Sequence, residues 1–192
     1  MMVRMPFRRQ LFRMGVGAVF GGAAARGALA STRRPESAID EVARLAFVNT
    51  HTGESLDVVY RERGRYLTDA IAEIDRVLRD HRNGEVFPID RALLDQLDRL
   101  GALLGTGTRP FHVISGYRSP ATNAMLHARS NGVATRSLHM SGRAIDIRMP
   151  GVPLATLHCA ALSMQAGGVG YYPGSDFVHV DTGRVRSWGA KA

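Results

Sequence analysis

The sequence predicts an α+β domain in which a small antiparallel sheet is backed by helices. Three observations carry this. Short runs such as Arg143-Ala144-Ile145-Asp146-Ile147-Arg148 and Phe177-Val178-His179-Val180 alternate apolar and polar residues, the period of strands with one buried face. Longer runs place apolar residues at helical spacing, as in Leu67–Arg82 and in the leucines from Leu93 to Leu104. Glycine, proline and asparagine punctuate the joints between them. The 192 residues suit one domain with a real core.

The elements follow in chain order. Residues 1–30 read as an export signal of the twin-arginine type: Arg8-Arg9-Gln10-Leu11-Phe12-Arg13, a weakly apolar glycine-rich stretch, then Ala28-Leu29-Ala30 as a small-x-small cleavage site. Ser31–Glu41 is polar and reads as a linker, which leaves residues 42–192 as the folded domain. Arg44–Asn49 and Leu56–Tyr60 are strand-like runs around the turn residues 51–55, so a hairpin is expected, with His51 solvated in its turn. Leu67–Arg82 places Ile71, Ile74, Val77 and Leu78 on one face and ends at Asn83-Gly84. Asp90 can cap the leucine-rich helix, which stops at Gly105-Thr106-Gly107. Pro110–Ile114 reads as a strand, and Ser119-Pro120 then opens a helix with serine as cap and proline in the first turn. Leu154–Ala166 is helix-like and is expected to pack Cys159 into the core. Gly167–Gly174 has the glycines of a phosphate loop without the Lys-Ser/Thr that such a loop needs, so a close-packed strand with a bend is the reading. Tyr171 and Tyr172 are candidates to line a cleft. His112 and His127 are read as structural.

Charge narrows the function. The formal net charge is +8, but five of the 25 basic residues lie in residues 1–30, which hold no acid, so the remainder carries only +3. A nucleic-acid partner loses its electrostatic basis once the leader is set aside. The lone cysteine excludes an internal disulfide. No apolar run is long enough to anchor the mature chain in a membrane.

The chemistry concentrates around Ser137–Asp146. Strand alternation turns Ile145 and Ile147 to one side and Asp146 to the other. His139 sits on the loop leading in, and Gly142 lets that loop fold back. His179 points away from Val178 and Val180. Two imidazoles, one carboxylate and an open position form the pattern of a catalytic zinc centre, in which a bound water has its pKa lowered to about 7. Each of the three residues alone could equally be core or surface. Arg118 stands at a strand-to-helix junction, where its guanidinium could serve the site or simply bind a neighbouring carboxylate.

Ser137-x-His139-x2-Gly142-x-Ala144-x-Asp146, followed by Asp176-x2-His179 and preceded by Ser115-Gly116-Tyr117-Arg118-Ser119-Pro120, resembles the zinc D-alanyl-D-alanine peptidase superfamily, which includes the hedgehog signalling domain. Within it the chain is most similar to the Tat-exported YcbK-like group, associated with cutting murein peptide cross-links. The resemblance covers residues 42–189 and implies a hedgehog/DD-peptidase-like fold with zinc on His139, Asp146 and His179. It further implies Asp176 as the catalytic acid/base and Arg118 as the cation that stabilises the scissile carbonyl. Strict alternation would send Asp176 to the face opposite His179, so a bend near Gly174-Ser175 is expected to turn it inward. Asp181 is read as a turn former that at most supports His179. The expectation is a monomeric periplasmic zinc peptidase acting on peptidoglycan stem peptides as an endopeptidase. A D,D-carboxypeptidase and a non-catalytic zinc-bearing binding module are the alternatives.

Overall fold

A computed structural model describes residues 42–129 and 133–190, so the expected leader and linker lie outside the described residues. β1 (Val42–Asn49) and β2 (Ser55–Glu62) form the expected antiparallel hairpin, with Leu45 opposite Val58 and Phe47 opposite Leu56. Asn49 closes the turn, its side-chain oxygen accepting from the backbone N–H groups of His51 (3.0 Å) and Thr52 (3.2 Å). His51 is exposed there, its ring stacked on that of His81. The two-residue β3 (Arg65–Tyr66) extends β2, and α1 (Thr68–Val77) follows with Ile71, Ile74 and Val77 buried. This helix ends well before the Asn83-Gly84 stop. Asp80 is the reason: its buried carboxylate accepts from the backbone of Arg82 and Ser119 and from the Ser119 hydroxyl, bonds that take the chain out of the helix.

α2 (Arg91–Leu103) is capped as its sequence predicts, Asp90 accepting from the Ala92 N–H at 3.0 Å, and it buries Leu93, Leu94, Leu97 and Leu100. β4 (Phe111–Ser115) lies parallel beside β1, because the two helices carry the chain back across the sheet before it pairs. Ser119 then caps α3 (Pro120–Arg129) by accepting from Thr122 N–H at 3.2 Å. A short 3-10 turn (Leu138–Ser141) leads through Gly142 into β5 (Ala144–Arg148). α4 (Leu154–Ser163), β6 (Gly168–Tyr172), a second 3-10 turn (Pro173–Ser175), β7 (Phe177–Asp181) and β8 (Arg186–Gly189) complete the described chain.

The strands make one sheet in the order β3-β2-β1-β4-β5-β7-β6-β8. The α+β class is as expected, but the sheet is larger than expected and mixed, with β1–β4 and β6–β8 parallel. Neither parallel pairing is local in sequence, so no hairpin signal announces it. On one face Phe47, Val113, Ile145, Ile147, Val169, Val178 and Val180 pack with the leucines of α2, Ile74 of α1 and Leu157 of α4. Burial of each large side chain there is worth about 1.5–3 kcal/mol, which pins the alternation of β5 and β7. Cys159 corrects an expectation: it is exposed. At roughly 100° per residue, Leu157 and Ala161 face the sheet and Cys159 faces away. Tyr171 likewise belongs to the core, stacked on His158 at 4.5 Å, while its neighbour Tyr172 faces the other side. Among the described residues no helix is long and apolar enough to cross a membrane.

Candidate active site

Because Ile145, Ile147, Val178 and Val180 are drawn into the core, Asp146 and His179 emerge on the opposite face. They do so directly across from each other in the antiparallel β5–β7 pair. His139 arrives from the 3-10 turn. Its approach depends on Gly142, which takes φ 64° and lies so close to Pro88 that an added Cβ would collide with the Pro88 carbonyl oxygen. His139 is then only 2% exposed.

Each imidazole is oriented by the nitrogen it does not offer. The Gly116 carbonyl can only accept, so His139 Nδ1 carries the proton of that 2.7 Å bond and Nε2 is left bare. His179 donates Nε2–H to Asp181 Oδ2 at 3.1 Å, which aims Nδ1 at Asp146. The carboxylate is oriented too: Arg118 Nη2 donates to Asp146 Oδ2 at 2.9 Å, leaving Oδ1 for the imidazoles. His139 Nε2, Asp146 Oδ1 and His179 Nδ1 consequently converge, at 2.8 Å (His179–Asp146), 3.2 Å (His139–His179) and 3.3 Å (His139–Asp146).

Electrostatics suit a cation at that point. Burial pushes the His139 imidazolium down, so the ring is neutral. Burial alone would raise Asp146, but the imidazoles gathered on it, above all the charge and hydrogen bond of His179, hold it well below the usual carboxylate range. Burial also opposes charge on His179, yet Asp146 and Asp181 outweigh it and push this group up to about 9. In the protein alone, a proton on His179 thus holds three acceptors together. A metal ion would take over that place. With bonds of about 2.0–2.1 Å to nitrogen and oxygen, a tetrahedral zinc has ligand–ligand edges of about 3.3 Å, close to the separations seen, so the donor set fits the ion. His139, Asp146 and His179 are the described residues that could hold it.

Arg118 is positioned as closely as the ligands. Gly116 passes against the end of α1, where a Cβ would meet the Leu78 carbonyl, and Tyr117 N–H donates to that carbonyl at 2.8 Å. Arg118 Nε donates to Ser115 Oγ at 3.1 Å, while Nη1 has no hydrogen bond among the described residues and the side chain lines the cleft. The cleft above the cluster holds about 480 Å³. One wall is aromatic: Trp188 donates Nε1–H to Tyr172 Oη at 2.7 Å, and its indole lies over Gly170, beside His179. Only a glycine leaves room for it.

Asp176 reaches the face of the sheet that carries His179 but does not line the cleft. Asp176 takes φ 55°, its side chain is 62% exposed, and its carboxylate binds Arg148 Nη1 at 2.8 Å, outside the cleft that Ser175 and Phe177 line. The bend is present and brings the residue to the face of Asp146, where Arg148, two residues on, holds its carboxylate in an exposed pair. Asp181 carries more than a turn. Wholly buried, it accepts from His179, from both Arg186 terminal nitrogens (3.0 and 2.7 Å) and from Gly168 and Gly183 N–H. Burial opposes its charge, and these donors hold its pKa far below the usual carboxylate value. Arg186, Trp188 and Arg136 carried no readable signal in the sequence, since each reaches the cleft through non-local pairing or loop packing.

The family model described as peptidoglycan L,D-endopeptidase MepK, a group of the M15 peptidases, matches residues 37–188. The chain belongs to this family. Peptidoglycan L,D-endopeptidase MepK of Escherichia coli strain K12 is 43% identical over 181 residues, covering 94% of this chain and 96% of that protein. The MepK of Shigella flexneri aligns with the same figures. The probable peptidoglycan L,D-endopeptidase MepK of Haemophilus influenzae is 42% identical over 144 residues, 75% of this chain and 77% of its own. This chain is thus a metallopeptidase of the MepK family, and its His-Asp-His cluster is the group able to bind the metal.

Proposed function

We propose that the protein is a zinc-dependent endopeptidase of peptidoglycan that hydrolyses an amide joining an L-centre to a D-centre in cross-linked stem peptides. One observation carries the reading: two oriented imidazoles and a carboxylate converge within 3.3 Å at the floor of a cleft beside a buried arginine, in a MepK-family chain. His139, Asp146 and His179 would hold the zinc, which when bound supplies a Lewis acid for the carbonyl and an acidified water.

The protein's own groups do the rest. Asp181 keeps the His179 proton on Nε2, and the Gly116 carbonyl keeps the His139 proton on Nδ1, so the coordinating nitrogens remain bare. Arg118 fixes Asp146 through Nη2 and presents Nη1 to the cleft, where a guanidinium stabilises charge developing on the scissile carbonyl. Tyr172, Phe177 and Trp188 give the peptide a flat apolar wall that excludes water from one side. Asp176 is the proton acceptor in this reading: it stands between Ser175 and Phe177, which line the cleft, and its exposed ion pair with Arg148 is weak enough to open when substrate binds.

Residues 1–30 act as a Tat signal, residues 31–41 as a linker, and the domain from residue 42 works as a monomer in the periplasm, where peptidoglycan lies. The test is incubation of the zinc-loaded mature protein with purified sacculi, followed by chromatography and mass analysis of the muropeptides. Loss of cross-linked dimers with L,D-cleaved products is expected. Shortened monomers alone would replace the reading with a carboxypeptidase, and binding without products would replace it with a binding module.

A further inference from the structure

We propose that Arg136 reads a free carboxylate of the substrate at the lip of the cleft, which makes it a specificity-determining residue. This rests on the peptidase reading and adds the charge of the substrate to it. Three arginines line the cleft, Arg118, Arg136 and Arg186, against two carboxylates, Asp146 and Asp181. Arg118 is committed to Asp146 at 2.9 Å, and Arg186 to Asp181 through bonds of 2.7 and 3.0 Å. Both carboxylates are buried, at 5% and 0% exposure, so each of these arginines already has a fixed partner before a ligand arrives. Arg136 is different. It is exposed, it lines the same cleft, and it has neither ion pair nor hydrogen bond among the described residues.

The cleft therefore carries an uncompensated cation at its rim, and a divalent ion on the His-Asp-His cluster only increases the surplus. A ligand that completes the balance is anionic. Peptidoglycan stem peptides carry free carboxylates, and guanidinium binds a carboxylate with two parallel hydrogen bonds. The location also limits which carboxylate is read. Arg136 precedes His139 by three residues, and Ser137 anchors that segment by accepting from His139 N–H. Their Cα atoms are thus at most roughly 10 Å apart, a span of about three residues of extended peptide at ~3.3 Å each. The carboxylate lies within a few residues of the bond that is cut.

The experiment uses the zinc-loaded protein and two probes: a cross-linked muropeptide dimer, and the same dimer with its carboxylates converted to primary amides. Dissociation constants and kcat/KM are measured for the wild type, Arg136→Ala and Arg136→Lys, with zinc content checked in each. The wild type should prefer the acid dimer by about tenfold, the scale of one charge-assisted bond at an exposed site, and added salt should reduce that preference. Arg136→Ala should bind the acid dimer about as weakly as the amidated one, and Arg136→Lys should recover part of the difference. An equal acid-to-amide ratio in the wild type and Arg136→Ala, with both dimers cleaved, overturns the Arg136 assignment alone. Failure of the wild type to bind or cleave either dimer overturns this assignment together with the peptidase reading.

Discussion

Replacing Asp181 with Asn probes the support beneath the metal site without touching a ligand. In the wild type Oδ1 accepts from Gly168 N–H (3.0 Å), Gly183 N–H (2.8 Å) and Arg186 Nη1 (3.0 Å), and Oδ2 accepts from Arg186 Nη2 (2.7 Å) and His179 Nε2 (3.1 Å). An amide keeps the shape but turns one acceptor into a donor. Placed over the backbone amides, its NH2 faces several buried donors. Placed over His179, it faces one imidazole N–H and one guanidinium that solvent still reaches. The second orientation costs less, and the imidazolium answers by giving up its Nε2 proton while keeping the one on Nδ1. Nδ1–H still meets Asp146, but the charge-assisted bond between Asp181 and His179 is gone, so the metal-free fold loses about 1.5–3 kcal/mol. Zinc would take the place of the Nδ1 proton in either protein, but in the variant the Nε2–H then required would face an amide donor and not a carboxylate, and binding should weaken about ten- to a hundredfold, as is usual when a ligand's supporting carboxylate is lost. Competition against a chromophoric chelator reads the first effect on zinc, and urea unfolding of the metal-free protein reads the second on stability. Zinc affinity within about twofold of wild type, with unchanged unfolding, would refute the role given to Asp181.

The remaining predictions concern the cleft itself. His139→Ala and His179→Ala should each abolish stoichiometric zinc and cleavage together, because two donors rarely hold the ion tightly; full zinc by elemental analysis in either would reject the ligand set. Arg118→Ala should retain zinc at saturating metal, since Asp146 Oδ1 remains free, while turnover drops on the order of a hundredfold; unchanged kcat would make Arg118 purely structural. Asp176→Asn should keep zinc content and stability near wild type, because it is no ligand and its ion pair with Arg148 is exposed, while turnover falls about a hundredfold or more. Near-normal cleavage would reject it as the base. In Gly170→Ala the new Cβ would lie 2.8 Å from the Trp188 ring. The indole must then move off the sheet, at a cost of about 1–3 kcal/mol, and KM should rise; an unchanged melting temperature and KM would show the wall to be dispensable.

Much of the site was legible because its rules are local. The period of two in β5 and β7 decides that Asp146 and His179 share a face as soon as Ile145, Ile147, Val178 and Val180 are assigned to the core. Asp90 and Ser119 announce their helices by the hydrogen bonds their side chains can make within three residues. Gly142 marks the reversal that carries His139 in. These signals need no knowledge of what lies across the sheet.

What the tertiary structure alone decided is who meets whom. Trp188 walls the cleft only because β8 pairs in parallel with β6 and sets it opposite Gly170, and no local pattern encodes a parallel neighbour. Asp181 is a support and not merely a turn because Arg186, Gly168 and Gly183 close on it from separate segments. Asp176 illustrates the converse. Its place three residues before His179 implied a catalytic role, but a bend has no periodic rule for direction, and only the structure shows its carboxylate on Arg148, outside the cleft. Side-chain facing within a strand follows from backbone geometry at each residue, whereas partnership across strands is settled by packing and charge over the whole domain.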